Sequence, residues 1–337
     1  MEKFKKDKTK HDDNSRYKDS KLSIFPLIES IKIYISKSYR NFKADDNRSF
    51  TQSYFSDAVK LLLDTYPNAA AAYSLRKLST SYQGPAIRVR RSSDNQEQDI
   101  YFDSLSNLDT NSLTSFVGIG GNGFVTTWYD QSGNSRNATQ STAASQPKIV
   151  NAGNIVSVNS KPALSFDGVD DKLTNTTLPA ASTQSVFYVK KGANLSGNSS
   201  VLGFPATLVG NQLGIYYFLG PQCYGFNTWN GDSWGYSNSS SDFLNQTLEM
   251  GLFLDGNPSL SGVKLFINNS QKTLSQVLST SLTRTMGDGF RIGQGGDSSN
   301  SQDYDGWQQE VIIWSADYSI VNRVEIQNNI NQYYSIY

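Results

Sequence analysis

Alternating apolar and polar positions dominate the chain from Ala86 onward. The segments with this pattern are AIRVRRSS, GFVTTWYD, KPALSFDG, SVFYVKK, LGIYYFLG, LEMGLFLDG, VKLFIN, FRIGQGG and WQQEVIIW. Asp-Gly, Asn-Gly and Gly-Asn pairs stand among them, and such pairs mark tight turns. Short runs of this kind, bounded by turn residues, are typical of β-strands. The pattern therefore predicts an all-β protein.

Helical spacing occurs in three other places. In residues 53–63 the apolar positions fall on one helical face and Pro67 follows, which predicts a first helix. Asn68 then precedes AAAAYSLRKL, a run of good helix formers, and predicts the N-cap of a second helix. Residues 318–337 carry apolar side chains at helical intervals, which predicts a short closing helix on the edge of the sandwich.

Residues 1–60 differ in character from the rest. Roughly the first 22 are charged and mildly basic, which is typical of a solvated tail. Residues 24–35 are apolar but include Glu29 and Lys32, so this run is too short and too charged to span a bilayer. A secretory signal pattern is missing. We expect an N-terminal anchoring arm, partly extended or helical, in residues 1–60 and one globular body in residues 61–337.

Composition limits the kinds of ligand and of catalytic site that we expect. The 337 residues have a formal net charge of zero, which gives no electrostatic case for nucleic acid or an anionic membrane. Cys223 is the single cysteine, so an intrachain disulfide is excluded. His11 is the single histidine and lies in the charged tail. Zinc sites and catalytic triads that need a histidine in the globular body are therefore not expected.

The stretch WYDQSGNSRNATQ, residues 128–140, allows two interpretations. Asp130 can accept a backbone N–H two residues on, and Gly133 supplies a positive φ, so the letters fit a tight turn. The same loop also offers aromatic and amide groups of the kind that hold sugars. Asp130 is therefore a candidate ligand-binding residue as well as a turn residue.

A second aromatic stretch lies near residues 224–236. Exposed rings between amides form a plausible sugar-stacking surface or a protein interface, although partial burial on the sandwich face explains the same letters. The residues concerned are Tyr224, Phe226, Asn227, Trp229, Asn230, Asp232, Trp234 and Tyr236. Trp307 and Trp314 lie in the last strand and are predicted to be core residues.

Asp167, Asp170 and Asp171 form an acidic trio in FDGVDD. Carboxylate oxygens are the ligands that Ca²⁺ prefers, so the trio could bind calcium. A hairpin turn stabilised by Asp and Gly explains the same residues. We predict no other cofactor.

The run AAYSLRKLSTSYQGPAIRVRRSSD, followed by WYDQSGNSRNATQ, resembles the catalytic domain of glycoside hydrolase family 54, the α-L-arabinofuranosidases. ALSFDGVDDKL, VKLFINNSQKT and the segment GFRIGQGGDSSNSQDYDGWQQEVIIWSADYS resemble the broader concanavalin A-like, laminin-G-like lectin group. The resemblance covers roughly residues 68–337. It implies a concanavalin-like jelly-roll β-sandwich, preceded by short helices.

The family resemblance implies an acid/base aspartate in a Gly-Gly-Asp-Asn-Ser run, and Gly295-Gly296-Asp297-Ser298-Ser299 stands in that place. It also implies a nucleophilic glutamate in an Asp-x-Glu-Asn run and a pair of adjacent cysteines. The region TWNGDSWGYSNSSSDF offers Asp232 and Asp242 but no such glutamate, and Cys223 is alone. Losing one of two cooperating carboxylates removes most of the rate. We therefore expect a non-catalytic scaffold, with Gly296 and Asp297 as ligand-binding candidates.

These observations together predict a virion structural protein of a tailed phage, in a head fibre, capsid decoration or tail. Release by lysis would explain an outward-facing lectin-like sandwich without a signal peptide. The arm would bind other virion proteins, and a homo-oligomer would bind host glycans by multivalency. Two alternatives stay open: a glycoside hydrolase of α-L-arabinofuranosidase type and a bacterial surface adhesin.

Overall fold

A computed structural model describes residues 61–195, 199–204, 213–218, 222–228, 233–237, 239–254, 262–278, 289–295 and 302–337. The chain divides into two units, Met1–Ala58 and Val59–Tyr337, and every described residue belongs to the second. The predicted arm in residues 1–60 therefore lies outside the described residues.

The described part of the chain is built mainly from short strands. Four α-helices accompany them: α1 (Leu62–Thr65), α2 (Thr110–Val117), α3 (Ser240–Leu244) and α4 (Arg323–Tyr334). The strands are β1 (Ala71–Ser74), β2 (Ile87–Arg91), β3 (Glu97–Ile100), β4 (Gly123–Trp128), β5 (Ala138–Thr139), β6 (Lys148–Asn151), β7 (Asn154–Ile155), β8 (Ser157–Val158), β9 (Lys161–Pro162), β10 (Leu164–Asp167), β11 (Leu173–Asn175), β12 (Thr183–Gly192), β13 (Ser199–Phe204), β14 (Leu213–Phe218), β15 (Cys223–Thr228), β16 (Ser233–Tyr236), β17 (Thr247–Leu254), β18 (Lys264–Ile267), β19 (Ser270–Gln271), β20 (Ser275–Leu278), β21 (Phe290–Ile292) and β22 (Asp305–Trp314).

One antiparallel layer runs in the order β19–β18–β17–β12–β22–β1, and β10 pairs with the first half of β22. Its register places Tyr73, Val311, Tyr188 and Glu249 in one row across four strands. Residues that stand opposite one another in this way project to the same face of a sheet. The side chains of Tyr73 on β1 and Glu249 on β17 therefore project to the same face of this layer.

The second layer runs in the order β3–β2–β4–β5–β11–β21–β13–β14–β15–β16–β20, entirely through antiparallel pairs. Strand β6 pairs with both β4 and β10 and so joins the two layers. The all-β sandwich predicted from the alternating pattern is confirmed, and the strands predicted from the sequence are present.

Alternation along β17 separates two apolar clusters. Leu248, Met250 and Leu252 pack against α1 and α4 on the outer side. Phe253 belongs to the cluster between the layers, which includes residues of β2, β4, β13, β14 and β15. Glu249 has the same parity as Phe253, so a carboxylate is directed into the interior of the sandwich.

The prediction of a second helix, after Asn68, is wrong. Residues Ala71–Ser74 form β1, which is buried along its whole length and pairs with β22. The good helix formers in AAAAYSLRKL are overridden because small side chains fit a strand covered on both faces. Asn68 adopts a left-handed φ of 63° rather than an N-cap conformation.

The other helix predictions are partly confirmed. The first helix is described only as α1, because residues 53–60 lie outside the described part, and the closing helix is α4. Trp314 is buried as predicted, but Trp307 is half-buried. Among the described residues, no helix is both long and apolar enough to cross a membrane.

Candidate active site

A carboxylate with no exposed surface lies between the two layers at Glu249. Its Oε2 accepts hydrogen bonds from the hydroxyl groups of Tyr188 and Tyr224, the latter at 2.9 Å. Its Oε1 accepts from the Thr247 hydroxyl at 2.7 Å and lies 3.2 Å from the ammonium of Lys190. We call these five residues the Glu249 cluster. Three hydroxyl donors and one cation compensate the buried charge.

The two tyrosines act as donors because they stay protonated. Burial, followed by the charge of Glu249, holds the pKa of Tyr188 and of Tyr224 well above the usual range. Lys190 is also fully buried, and burial lowers its pKa although Glu249 opposes that shift. Its ammonium donates to the carbonyls of Asp242 and Phe243 at 2.6 and 2.7 Å. Lys190 therefore ties Glu249 to helix α3.

A chain of polar contacts runs along α3 toward solvent. The hydroxyl of Tyr236 donates to Asp242 Oδ2 at 2.8 Å, and the ammonium of Lys272 lies 2.7 Å from the same oxygen. Burial works to raise the pKa of Asp242, but the bonds from Lys272 and Tyr236 outweigh it and leave that pKa lowered. Tyr236, Asp242 and Lys272 are half-buried, so the polar region reaches the surface at this end of the sandwich.

Glu310 is the other fully buried glutamate of the described chain, and its surroundings differ. Arg76 grips both of its oxygens, with Nε to Oε2 at 2.8 Å and Nη2 to Oε1 at 3.0 Å. The Ser74 hydroxyl adds a bond at 2.7 Å. A bidentate guanidinium fixes a carboxylate and neutralises it. Glu310 is therefore a structural ion pair, whereas hydroxyl groups and a single ammonium surround Glu249.

Glu249 is not predicted by the family's Asp-x-Glu-Asn pattern. Strand β17 reads Thr247-Leu248-Glu249-Met250, so this glutamate has neither the Asp nor the Asn of that pattern beside it. A usable signal is present in the pattern: the glutamate falls at an inward position of an apolar strand. Such a residue is buried with partners or is functional.

The predicted aromatic surface is only partly described. Tyr224 is fully buried in the Glu249 cluster, so the prediction of a solvent-facing ring is wrong for this residue, and Phe226 is also buried. The backbones of Asn227 and Trp234 pair within β15 and β16, but their side chains lie outside the described part. The remaining candidates outside the described residues are Trp229, Asn230, Asp232, Gly296 and Asp297.

The WYDQSGN loop has the geometry of a tight turn. Asp130 Oδ1 accepts the N–H groups of Ala72 and Ser132 at 2.8 and 2.9 Å. Its Oδ2 accepts the Ser132 hydroxyl at 2.7 Å and the Arg136 N–H at 3.0 Å. Gly133 has a φ of 89°. Both oxygens of this carboxylate thus accept hydrogen bonds from the protein itself, four in all. A ligand-binding role for Asp130 stays a prediction.

The acidic trio is gathered in space. One oxygen each from Asp167, Asp170 and Asp171 lies within 4.8 Å of the others. Burial, followed by repulsion from Asp167, raises the pKa of Asp171 to about 7. Asp167 Oδ1 also accepts the Val169 N–H at 2.9 Å, which is the turn contact expected from the sequence. Calcium binding stays a prediction.

Comparison with known proteins shows which enzymes the chain resembles. Residues 64–166 match the family model for the catalytic region of α-L-arabinofuranosidase B. A point variant of a family 54 α-L-arabinofuranosidase soaked with 4-nitrophenyl α-L-arabinofuranoside is similar at a TM-score of 0.58 and 16% identity, over 78% of this chain and 62% of that one. An arabinofuranosidase complexed with arabinofuranosyl-α-1,2-xylobiose is similar at 0.54 and 15%, with the same coverage. No curated protein sequence matches the chain.

These findings correct the prediction of a non-catalytic scaffold, which is wrong. The matched segment belongs to a catalytic-region model, and the sandwich has the fold of these two enzymes. The part of the family resemblance that concerns arabinofuranosidases is confirmed for residues 64–166. The chain spans 62% of the length of each of these two enzymes.

Proposed function

We propose that the globular body is a glycoside hydrolase that releases α-L-arabinofuranosyl groups from a neutral polysaccharide. The match of residues 64–166 to an arabinofuranosidase catalytic-region model carries this proposal. The likeness of the fold to two such enzymes and the presence of a buried, hydroxyl-bonded glutamate between the layers support it.

Glu249 is the proposed nucleophile. Of the glutamates in the described chain, Glu97 and Glu325 are exposed and Glu310 is held by Arg76, which leaves Glu249 as the buried glutamate that no guanidinium binds. It also lies on a strand upstream of the Gly-Gly-Asp run, as the family's glutamate does, although it falls after the region TWNGDSWGYSNSSSDF in which the resemblance expects that glutamate. Asp297 is the proposed acid/base residue, on the resemblance alone.

The reaction follows the retaining scheme. A carboxylate oxygen of Glu249 attacks the anomeric carbon while the acid form of Asp297 protonates the departing glycosidic oxygen. A glycosyl ester forms, and the bond to the leaving group breaks. Asp297 then removes a proton from water, which hydrolyses the ester and returns both carboxyl groups to their starting states. Because Glu249 has no exposed surface, the sugar must gain access by displacing residues around the cluster.

The test is turnover of 4-nitrophenyl α-L-arabinofuranoside by the full chain. We expect hydrolysis by the natural sequence and losses of at least about 1000-fold in kcat for Glu249→Gln and for Asp297→Asn. Glu325→Gln, at an exposed position of α4, is the matched control and should retain the activity. A mechanism-based inhibitor should add its mass to the peptide that contains Glu249. Full activity in Glu249→Gln would remove it as the nucleophile, and no cleavage by the natural sequence would overturn the proposal.

Location on a virion, anchoring through residues 1–60, homo-oligomerisation and attachment to host glycans stay predictions. Mass spectrometry of purified particles tests the first of them.

A further inference from the structure

We propose that a cleft beside the WYDQSGN loop is a second carbohydrate site, separate from the Glu249 cluster. Residues 67–69, 79, 81–83 and 131–134 form its walls, and Leu63 contributes to its lining. We call it the loop cleft. Its volume of about 370 Å³ lies within the range of sites that bind small molecules. The space is sufficient for one or two sugar units.

The lining is polar but carries no charge. Serine hydroxyls, amide groups and one tyrosine ring surround the space, and Asp, Glu, Lys, Arg and His are absent from the residues that line it. A charged ligand would lose its hydration without a compensating partner. A neutral polyhydroxylated ligand finds both donors and acceptors here. The lining therefore favours a neutral oligosaccharide over an anion or a cation.

Hydrogen bonds from Gln131 and Asn134 hold the walls in place. Gln131 Oε1 accepts the Leu78 N–H at 2.8 Å, and its Nε2 donates to the carbonyls of Ser74 and Arg76, both at 3.0 Å. Asn134 Nδ2 donates to the carbonyl of Ala69 at 2.9 Å. The 131–134 wall is thus fixed to the chain on either side of β1. A preformed site avoids the entropy cost of ordering loops when the ligand binds.

Several polar atoms along the cleft remain available to a ligand. The exposed Asn68 side chain has no hydrogen bond within the described part of the chain. Gln83 donates to the Thr80 carbonyl at 3.0 Å, and that bond leaves its Oε1 unused by described residues. The Tyr82 ring is half-buried, and its hydroxyl donates to the Pro85 carbonyl at 2.8 Å, which fixes the ring. Amides beside an immobile aromatic ring suit a sugar, which is polar at its edge and apolar on its face.

The loop cleft is distant from the proposed nucleophile. Tyr73 stands in the same row as Glu249 with two strands between them, or about 14 Å at the usual strand spacing. Ala69 lies four residues before Tyr73, which makes the separation roughly 15 to 20 Å. A sugar in the cleft would therefore not reach Glu249. The site would hold a neighbouring part of a polymer, and the choice of a neutral polysaccharide rests on the proposed function.

Affinity gel electrophoresis of the full chain tests the proposal. Gels contain arabinan, xylan or the anionic polymer polygalacturonate. The double variant Asn68→Gly and Gln83→Ala removes the free amides, and glycine keeps the left-handed φ at position 68. The control double variant Gln98→Ala and Asn328→Ala removes two exposed amides elsewhere. We expect retardation by a neutral polymer, a dissociation constant raised at least about tenfold in the cleft variant, and no change in the control.

Gln83→Trp provides a second variant that fills the cleft and should also abolish retardation. The melting temperature of each variant verifies folding. Equal retardation of the cleft variants and the natural sequence overturns the proposal, as does retardation by polygalacturonate alone or by no polymer. Failure of the proposed function is a separate result: the chromogenic arabinoside would not be cleaved, while retardation by the neutral polymer would persist.

Discussion

The ammonium of Lys190 and the carboxylate of Glu249 lie 3.2 Å apart, and neither side chain has solvent-exposed surface. Removing two charges from water costs several kcal/mol per ion. The attraction between them offsets this cost only when further hydrogen bonds satisfy both groups. Here hydroxyl groups donate hydrogen bonds to the carboxylate, and two backbone carbonyls accept hydrogen bonds from the ammonium. The pair therefore stabilises the fold only while both members are present.

Lys190→Met is predicted to lower the free energy of unfolding by about 3 to 5 kcal/mol, because it leaves a buried carboxylate without its cation. Lys191→Met is the matched control. Lys191 is the next residue on the same strand, half-buried, with its ammonium 5.6 Å from the centre of the Trp307 ring. We expect a loss of less than about 1 kcal/mol there. Urea unfolding followed by tryptophan fluorescence measures both values.

The double variant Lys190→Met with Glu249→Leu should be more stable than Lys190→Met alone, since it removes the orphaned charge together with its former partner. Identical urea midpoints for Lys190→Met and Lys191→Met would mean that the buried pair contributes nothing to stability.

Arg76→Lys is predicted to cost about 2 to 4 kcal/mol. Lysine cannot reproduce the two bonds to Glu310, and the guanidinium also donates to Asn329 at 3.0 Å. Arg88→Lys is the control, because Arg88 grips Asp99 in the same bidentate way but has 43% of its side chain exposed. Exposed pairs contribute up to about 1 kcal/mol. Thermal unfolding should separate the two variants, and equal melting temperatures would contradict the importance of burial.

The raised pKa of Asp171 predicts that the stability of the protein depends on pH. Its pKa is about 7 in the folded protein and about 4 in an unfolded chain. The folded state binds more protons between these values, so stability falls as pH rises from about 4 to 7 and is constant above. Each pKa unit corresponds to about 1.4 kcal/mol, so we expect a loss of more than about 1 kcal/mol between pH 5 and pH 8.

Asp171→Asn should lose this dependence and melt at a higher temperature than the natural sequence at pH 8. Adding calcium chloride at pH 8 tests the calcium prediction in the same assay. A melting temperature that rises with calcium in the natural sequence but not in Asp171→Asn would support a site at the trio. Parallel pH profiles of the two proteins would contradict the raised pKa.

Gly235→Ala is predicted to destabilise the second layer by about 1 to 3 kcal/mol. An added Cβ would overlap the Cys223 sulfur and lie 3.0 Å from the Tyr224 carbonyl. Combining it with Cys223→Ala should recover part of the loss, because the sulfur is the nearest atom. Chemical denaturation of the single and double variants measures the coupling. No recovery would place the conflict at the backbone.

The sandwich could be predicted from the sequence because period-two alternation is strong in segments such as GFVTTWYD and WQQEVIIW. The error at Ala71–Ser74 arose because alanine favours helices locally, and only the pairing with β22 decides otherwise. Of the proposed catalytic pair, the resemblance predicts Asp297, which lies outside the described residues, but not Glu249. Glu249 on β17 contacts Tyr188 and Lys190 from β12 and Tyr224 from β15, and no local pattern encodes contacts between these strands.

Pairing of β1 with β22 has a consequence for synthesis. Arg76 and Glu310 are 234 residues apart, and their contact joins the beginning of the globular body to its last strand. Contacts between such remote positions slow folding. While the ribosome is still making the middle of the chain, β1 has no partner and its apolar residues are open to aggregation. We expect synthesis of β22 to precede closure of the sandwich, and deletion of that strand to leave an insoluble product.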